Sequence, residues 1–446
     1  MPAENIAIET IRIQRAARDI NTIMADPYPI RPITADEYDG FRRVHSHAFN
    51  SAPLSPARRA RARRQFEPQR SLAATDAALP AGEDLVGTTG VYSLRMSVPG
   101  ALLPVAGVTA VSVLPSHRRR GVLRSLMHRQ LADIAAGGEE PIAALWASET
   151  PIYGRYGYGC ATSNAYFEFG RGEGALDRHA PTDPALRMRL AEPRPAAAEL
   201  AKVYDAVLSR QPGFFARDDD WWERVLHDES QERAETGQLR CLLAEDATGV
   251  RGYAVYVTRE RWNEAAGLPD CPLVIRELMA ADPTASAALW HNLLDRDLVT
   301  SVTADLRSAN DPVLFQLLDM RRARMRVADG IWVRIIDLPA ALSRRAYSCS
   351  VDVVLEATDA LLPANAGRWR LQCPGPADGG APSCERTTAA ADIVLPVEAL
   401  GAVYLGGTRL GTLAAAGLVE ERTPGTLARL SAAMYADPAP WCAATF

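Results

Sequence analysis

Three consecutive arginines and a glycine, at residues 118–121, separate a run of strand-forming residues from a helical pattern. The preceding residues are rich in valine, which suits a buried strand. After Gly121 the apolar residues recur with helical spacing, namely Val122, Leu123, Leu126, Met127, Leu131 and Ile134. The sequence therefore predicts a strand-to-helix turn that carries concentrated positive charge at the start of a helix.

This turn has the chemistry of a pyrophosphate site. A helix N-terminus offers backbone N–H donors without intrahelical partners and the positive end of the helix dipole. Gly121 would let a phosphate approach the backbone closely, and guanidinium groups donate paired hydrogen bonds to its oxygens. Arginines at helix starts are as often merely solvated, so the residue types alone leave both interpretations open. The preceding strand and Gly121 favour phosphate binding.

Composition bounds the class of protein. A chain of 446 residues predicts two or three domains, and 48% hydrophobic with 23% charged residues is ordinary for a soluble globular protein. The net charge of -5 argues against a general nucleic-acid binder. Seven scattered cysteines without a CxxC pair indicate a reduced, cytoplasmic chain without a metal site.

Neither a signal peptide nor a membrane span is expected. The first residues interleave charges with isoleucines, and residues 98–117, which lack formal charge, are interrupted by prolines and glycines. We interpret the latter stretch as strands and a turn.

The patterning predicts a polar extension over residues 1–30 and then two α/β units of similar order. The first unit contains strands at "DLVGTTGVYSLRMSV", "VAGVTAVSVL", "EPIAALWASE" and "SNAYFEFGR", with the helix after Gly121 among them. An exposed, arginine-rich helix is expected at "ARRARARRQFEPQR". The second unit repeats the strand–helix–strand order, but "ADPTASAALW" stands where the arginine turn would be. A small α+β domain ends the chain.

Longer motifs identify a family. "SHRRRGVLRSLMHRQL" followed by "AALWASETPIYGRYGYG" resembles the Eis (enhanced intracellular survival) subgroup of GNAT N-acetyltransferases, whereas the GxGxxG and GxxxxGK[ST] nucleotide motifs are absent. The resemblance implies two tandem GNAT-type units followed by a sterol-carrier-protein-like domain, in the α/β and α+β classes. It places the catalytic GNAT domain at residues 31–180, a second GNAT-like domain without a cofactor loop at 181–335, and the last domain at 336–446.

The resemblance also implies an acetyl-CoA site. The backbone of Val111, Ser112 and Val113 would hold the pantetheine arm, with Ser148 and Glu149 on the neighbouring strand end. The pyrophosphate loop would comprise Arg119, Arg120, Gly121, Val122, Leu123 and Arg124. Tyr153 matches the family's general acid, which protonates the departing thiolate, and Tyr156 and Tyr158 would be structural.

In this subgroup the general base is the C-terminal carboxylate, here that of Phe446. The implied reaction is direct acetyl transfer, in a ternary complex, to a primary amine of an aminoglycoside-like polyamine or a lysine side chain. The family also implies a homohexamer.

The chain departs from the family at several positions. Leu123 stands where a small residue is usual, Ala110 where an aromatic residue is frequent, and Thr445 where an acid often precedes the last phenylalanine. The segment "AFNSAPLS" also lacks an acid found in some members. Fewer carboxylates argue against polycationic aminoglycosides as preferred acceptors. An alternative function, lipid or acyl binding by the last domain, is suggested by the apolar stretch "VEALGAVYLGG".

Overall fold

The computed structural model describes residues 27–228, 237–375 and 379–446, so most of the predicted extension at residues 1–30 lies outside it. The chain forms two compact units. Among the described residues, the first comprises 27–56, Phe66–Val91 and Ala110–Gln130, and the second comprises Ala57–Gln65, Tyr92–Thr109 and the described part of 131–446.

Helices and strands are numbered here along the described chain. The helices are α1 (Tyr38–Phe49), α2 (Pro56–Arg64), α3 (Val122–Gly137), α4 (Thr150–Tyr153), α5 (Ala197–Leu208), α6 (Asp219–Val225), α7 (Pro283–Leu294), α8 (Val313–Gln316), α9 (Leu338–Ser343), α10 (Val397–Val403), α11 (Leu410–Ala415) and α12 (Thr426–Met434). The first strands are β1 (Ile30–Pro32), β2 (Leu72–Thr75), β3 (Leu85–Val98), β4 (Ala101–Val113), β5 (Ile142–Trp146), β6 (Tyr158–Cys160), β7 (Ser163–Gly170) and β8 (Arg187–Ala191). The remaining strands are β9 (Gln238–Asp246), β10 (Gly249–Thr258), β11 (Trp262–Asn263), β12 (Leu268–Pro269), β13 (Cys271–Ala280), β14 (Val299–Ser308), β15 (Arg326–Asp329), β16 (Ile331–Ile335), β17 (Val351–Thr358), β18 (Gly367–Cys373), β19 (Ser383–Arg386), β20 (Ile393–Pro396) and β21 (Glu420–Glu421).

In the first unit, a helix start packs closely on a sheet. Its strands follow the order β1–β2–β3–β4, with antiparallel pairing of β2 to both β1 and β3. The first turns of α3 pack on this sheet through Val122 and Leu126, which belong to the same buried cluster as Val86. Gly87 permits the close approach, because a Cβ there would lie 2.7 Å from the Val122 side chain.

In the second unit, β5 lies between β4, which precedes it in the chain, and β16, which follows much later. Strands β4 and β5 pair in parallel through Val105–Ile142, Ala106–Ala143 and Gly107–Ala144. Strand β16, far along the chain, then lies between β5 and β6 and pairs antiparallel with both.

The other large sheet has the order β15–β7–β14–β13–β10–β9–β8. It contains β7, the "SNAYFEFG" strand, which the sequence analysis assigned to the first α/β unit. That assignment is wrong, because β7 pairs antiparallel with β14 and β15. A buried strand does not specify its partner by its own pattern. The predicted strand–helix–strand of the second repeat is confirmed by β13, α7 and β14, whose strands pair in parallel.

The last part of the chain forms a five-stranded sheet, β19–β18–β17–β20–β21, with helices α9 to α12. Its buried side chains join those of β3, β4, β5 and β16 in one large cluster, which includes Val105, Ile142, Val333, Leu355 and Leu400. No helix among the described residues is both long and apolar enough to cross a membrane.

A buried ion pair fixes the segment that leads into α6. Arg217 donates to both carboxylate oxygens of Glu277, and Tyr253 donates to the same carboxylate at 2.6 Å. The Arg217 guanidinium also lies 3.8 Å from the ring centre of Tyr204. Burial alone would lower the pKa of Arg217, but Glu277 outweighs it and the pKa is raised. Because both partners are buried, the pair holds this segment in one arrangement.

Candidate active site

The arginine turn of the first unit is built from two left-handed residues. After β4 comes a 3-10 turn at Pro115–His117, then Arg119 with φ 64° and Gly121 with φ 89°, and α3 begins at Val122. The predicted strand-to-helix turn is therefore confirmed. A left-handed conformation costs an L-residue about 1–2 kcal/mol but costs glycine almost nothing, which explains Gly121.

The charged side chains of this turn are exposed, and its apolar side chains are wholly or partly buried. Arg118, Arg119, Arg120 and Arg124 are exposed, whereas Val122 is buried beneath the helix. Leu123, between Val122 and Arg124, is half-buried.

Two contacts brace the turn. Arg120 donates to the Tyr28 hydroxyl at 2.7 Å, and Tyr28 and the nearby Asp76 raise the Arg120 pKa. His117 Nε2 lies 3.0 Å from an Asp76 carboxylate oxygen. A braced turn with guanidinium groups in solvent is suited to an anion, because its donors are already oriented.

The end of β4 carries a local irregularity. Ala110 adopts φ 50° inside the strand, and its carbonyl accepts a 3.0 Å hydrogen bond from the Thr88 hydroxyl. Val111 and Val113, just beyond it, are half-buried. Ser112 is buried, and its hydroxyl has no hydrogen-bond partner among the described residues. A buried orphan hydroxyl beside an irregular strand is a place where a ligand's polar group fits.

The corresponding helix start of the second repeat has the opposite charge. Asp282 caps α7 by accepting from the backbone N–H groups of Thr284 and Ala285 at 3.0 Å each. Arg251 donates to the same carboxylate at 2.9 Å. The donors that could bind a phosphate are therefore occupied, which agrees with the predicted loss of the cofactor loop.

Tyr153 lies in the second unit, at the end of α4, shortly after β5. Its side chain is buried, although Ser148 and Glu149 of the preceding turn are exposed. Burial raises the pKa of Tyr153, and a hydrogen bond with Ser148 opposes this only in part. The phenol therefore stays protonated at neutral pH and can act as a proton donor.

The two neighbouring tyrosines, Tyr156 and Tyr158, are buried like Tyr153. Tyr158 is fully buried and makes an edge-to-face contact with Tyr153, with ring centres 6.1 Å apart. Tyr156 is also buried. Both environments suit the structural role that the family resemblance gives to these two residues.

The last residues of the chain are held by side chains of the second unit. The Trp146 indole N–H donates to the Ala444 carbonyl at 3.1 Å, and Asn164 donates to the Cys442 carbonyl at 2.6 Å. The Phe446 ring packs edge-to-face on Phe215, with centres 4.9 Å apart. Because Trp146 ends β5 two residues before Ser148, the C-terminal segment lies against the strand that leads to Tyr153.

The sequence-predicted residues are divided between the two compact units. Residues 111–113 and 119–124 lie on one strand end and helix start of the first unit, and Ser148, Glu149, Tyr153 and Phe446 lie in the second. Trp146 and Phe215, which hold the C-terminal residues, were not among the predicted site residues. No local signal could have identified Trp146, because its partner Ala444 is 298 positions away along the chain.

Comparison with known proteins gives a consistent picture. Models of the acetyltransferase (GNAT) domain match residues 29–161 and 213–335, and a sterol carrier protein domain matches residues 338–443. An uncharacterized N-acetyltransferase of Streptomyces coelicolor is 44% identical over 361 residues, covering 80% of this chain and 85% of that protein. The N-acetyltransferase Eis of Mycobacterium tuberculosis is 34% identical over 367 residues, covering 80% and 84%.

This chain also has the same fold as solved structures of N-acetyltransferases. The crystal structure of Eis1 from Mycobacterium abscessus has a TM-score of 0.77 at 31% identity, covering 94% of this chain and all of that one. A GCN5-related N-acetyltransferase from Kribbella flavida has a TM-score of 0.74 at 25% identity, covering 96% of this chain. The predicted fold class, two GNAT-type units and a sterol-carrier-like domain, is confirmed.

The contact between Trp146 and Ala444 predicts how firmly the C-terminus is held. Trp146→Phe keeps an aromatic ring but removes the hydrogen-bond donor, which is worth about 1 kcal/mol. We expect carboxypeptidase to release the C-terminal residue about fivefold faster from this variant. Trp332→Phe, which removes an indole donor to Asp329 instead, is the matched control and should leave the rate unchanged. Equal release from wild type and the Trp146 variant would contradict the assignment.

Proposed function

Because the chain belongs to the Eis family of GNAT N-acetyltransferases, we propose that it transfers the acetyl group of acetyl-CoA directly to a primary amine. Tyr153 is the general acid, and the Phe446 carboxylate is the general base. The observation that carries this assignment is a buried phenol, whose pKa is raised by burial, in the same compact unit as the firmly held chain end.

The proposed cofactor contacts follow from donor chemistry. Arg119, Arg120 and Arg124, with the backbone of Gly121, Val122 and Leu123, bind the pyrophosphate of acetyl-CoA. The backbone of residues 111–113 binds the pantetheine arm, and Ser148 and Glu149 flank it. The exposed guanidinium groups, the left-handed turn and the orphan Ser112 hydroxyl support this fit.

The proposed reaction balances without a covalent enzyme intermediate. The amine nitrogen attacks the thioester carbonyl carbon, the carbon–sulfur bond breaks, and the leaving thiolate takes the Tyr153 proton. The Phe446 carboxylate accepts the proton that the amine nitrogen loses. Water then exchanges these protons between the two groups and bulk solvent.

Several finer assignments rest on the family resemblance. The catalytic GNAT domain spans residues 31–180, although β7 within that range pairs in the other large sheet. The second GNAT-like domain spans residues 181–335 and the sterol-carrier-like domain 336–446. The acceptor is an aminoglycoside-like polyamine or a lysine side chain, and the enzyme is a cytoplasmic homohexamer. Lipid binding by the last domain is not favoured, because six of the seven residues of α10, in its apolar stretch, are buried in the core.

Tyr153→Phe should lower kcat by at least about 100-fold, because the thiolate then leaves without a proton donor. Because burial raises the pKa of Tyr153, its acid form persists as the pH rises, so the wild type should lose no activity through this group below about pH 10. Thiol release from acetyl-CoA across a pH series measures both effects. Tyr166→Phe, on the second sheet, is the control, and full activity of the Tyr153 variant would exclude the role.

The base assignment is tested by adding one glycine after Phe446. The extension keeps the phenylalanine ring but moves the carboxylate by about 3.5 Å. We expect kcat at neutral pH to fall at least about tenfold while acetyl-CoA binding is unchanged. Thr445→Ser controls for disturbance of the segment. Undiminished turnover of the extended protein would show that another group accepts the proton.

Gly121→Ala should weaken acetyl-CoA binding about 5- to 30-fold, because a left-handed alanine costs about 1–2 kcal/mol and the turn would relax. Isothermal titration with acetyl-CoA measures the change. Gly172→Ala, at a glycine with φ 72° and open space around it, imposes similar strain away from the turn. The loop assignment fails if both variants bind acetyl-CoA like the wild type.

A further inference from the structure

The arginine-rich segment of the second unit forms helix α2, as predicted, with five arginines among its nine residues and none buried. The helix is tied to α6 by Arg64, which donates to Asp220 at 2.9 Å and also to Glu223. Arg61 lies 2.8 Å from the Nδ1 atom of His227, just beyond α6. The positive charge of α2 is therefore held against the segment that contains α6.

Arg224 of α6 adds a further cation to this cluster. Its guanidinium lies 5.0 Å from the ring centre of Trp221, and among the described residues it has no carboxylate partner. Burial lowers the pKa of Arg224, and nearby Arg61 and Arg58 lower it further, while Tyr92 opposes them. Arg224 and Arg61 are half-buried, and Arg58 is exposed. Half-buried cations close to one another, one of them without a carboxylate partner among the described residues, favour the binding of an anion.

Strand β3 connects the arginine cluster with the end of the chain. Tyr92 and Met96 of β3 are four residues apart and so share a face, and Met96 bridges to Phe215. After Phe215 the chain continues antiparallel to β3, and Trp221 then contacts Tyr92, with ring centres 5.8 Å apart. Phe446 packs on Phe215, opposite Met96. Four residues of β3, or about 13 Å of strand, therefore separate Met96 at the Phe446 end from Tyr92 at the Arg224 end.

We propose that Arg224, supported by Arg58 and Arg61, binds a carboxylate of the acceptor, so that the acceptor is a primary amine joined to an acidic group about 13 Å away. This inference rests on the proposed function and narrows its acceptor. The reacting nitrogen lies at the Phe446 end, the linker crosses the aromatic wall of Tyr92 and Trp221, and the acid meets the arginines. An acidic peptide that presents an amine fits this description.

The same charges select against polycations. A polyamine that placed one ammonium at Phe446 would bring another toward the guanidinium cluster, and like charges repel. The family departures noted in the sequence, which leave fewer carboxylates around the acceptor, act in the same direction. Acceptor choice in this chain is thus set by repulsion as well as by attraction.

The test compares 11-aminoundecanoate, its methyl ester and 1,12-diaminododecane as acceptors of comparable length, by thiol release from acetyl-CoA. We expect kcat/KM for the acid to exceed that for the ester and for the diamine by about tenfold. Arg224→Met, which keeps side-chain length over Trp221, should reduce the preference for acid over ester by about tenfold. Arg386→Met removes another arginine that lies over a tryptophan, 4.3 Å from the Trp369 ring, and should leave the preference unchanged.

Calorimetric titration of the same acid into wild type and the Arg224 variant separates binding from chemistry. Binding that depends on Arg224 and weakens with salt supports the anion site, even if no amine is acetylated, in which case only the proposed reaction fails. Transfer to the ester or diamine as good as to the acid overturns the inference and leaves the acetyltransferase intact. Unchanged preference in the Arg224 variant, or absence of acid binding, also overturns it.

Discussion

The chain end of this protein is held by side chains that come from distant parts of the second unit. Trp146 at the end of β5, Asn164 on β7 and Gln211 after α5 each donate to a backbone carbonyl of the last eight residues. Chain termini ordinarily fray, because they lack partners for their backbone groups. Here those groups are paired, so the position of the terminal carboxylate depends on strands and helices of the whole unit. A terminal carboxylate can serve as a base only under that constraint.

The two repeats show that a shared scaffold does not decide whether a helix start binds an anion. At the start of α3 the turn supplies Gly121 and exposed arginines, whereas at the start of α7 it supplies Asp282. A carboxylate at this position satisfies the helix N–H groups from within the chain and adds negative charge. The second repeat therefore needs no ligand to satisfy these N–H groups. It contributes Phe215 and the buried Arg217–Glu277 pair, which together position the surface beside Phe446.

The parts of the structure that depend on neighbouring residues could be predicted from the sequence. The turn before α3 follows from a change of apolar period at Gly121, and the exposure of α2 follows from its five arginines. The role proposed for Tyr153 came only from the family resemblance, because Tyr156 and Tyr158 share its local pattern and are buried like it. The hydrogen bond with Ser148 is what distinguishes Tyr153 in the structure. The Trp146–Ala444 contact and the surroundings of Arg224, which has no carboxylate partner among the described residues, arise between segments far apart in sequence. No local pattern records them.

Strand β16 also has a consequence for how the protein is made. When β5, β6 and β7 have been synthesised, β5 can pair only with β4, and β6 and β7 have no partner yet. Their missing partners, β16 and β14, are made more than a hundred residues later. Domains of a nascent chain usually fold in order from the N-terminus, but here the two halves must wait for each other. Unpaired strand edges invite aggregation during that interval. Expression of the first repeat alone would leave β5 and β6 without the strand that joins them, so the tandem repeat is one folding unit rather than two separable modules.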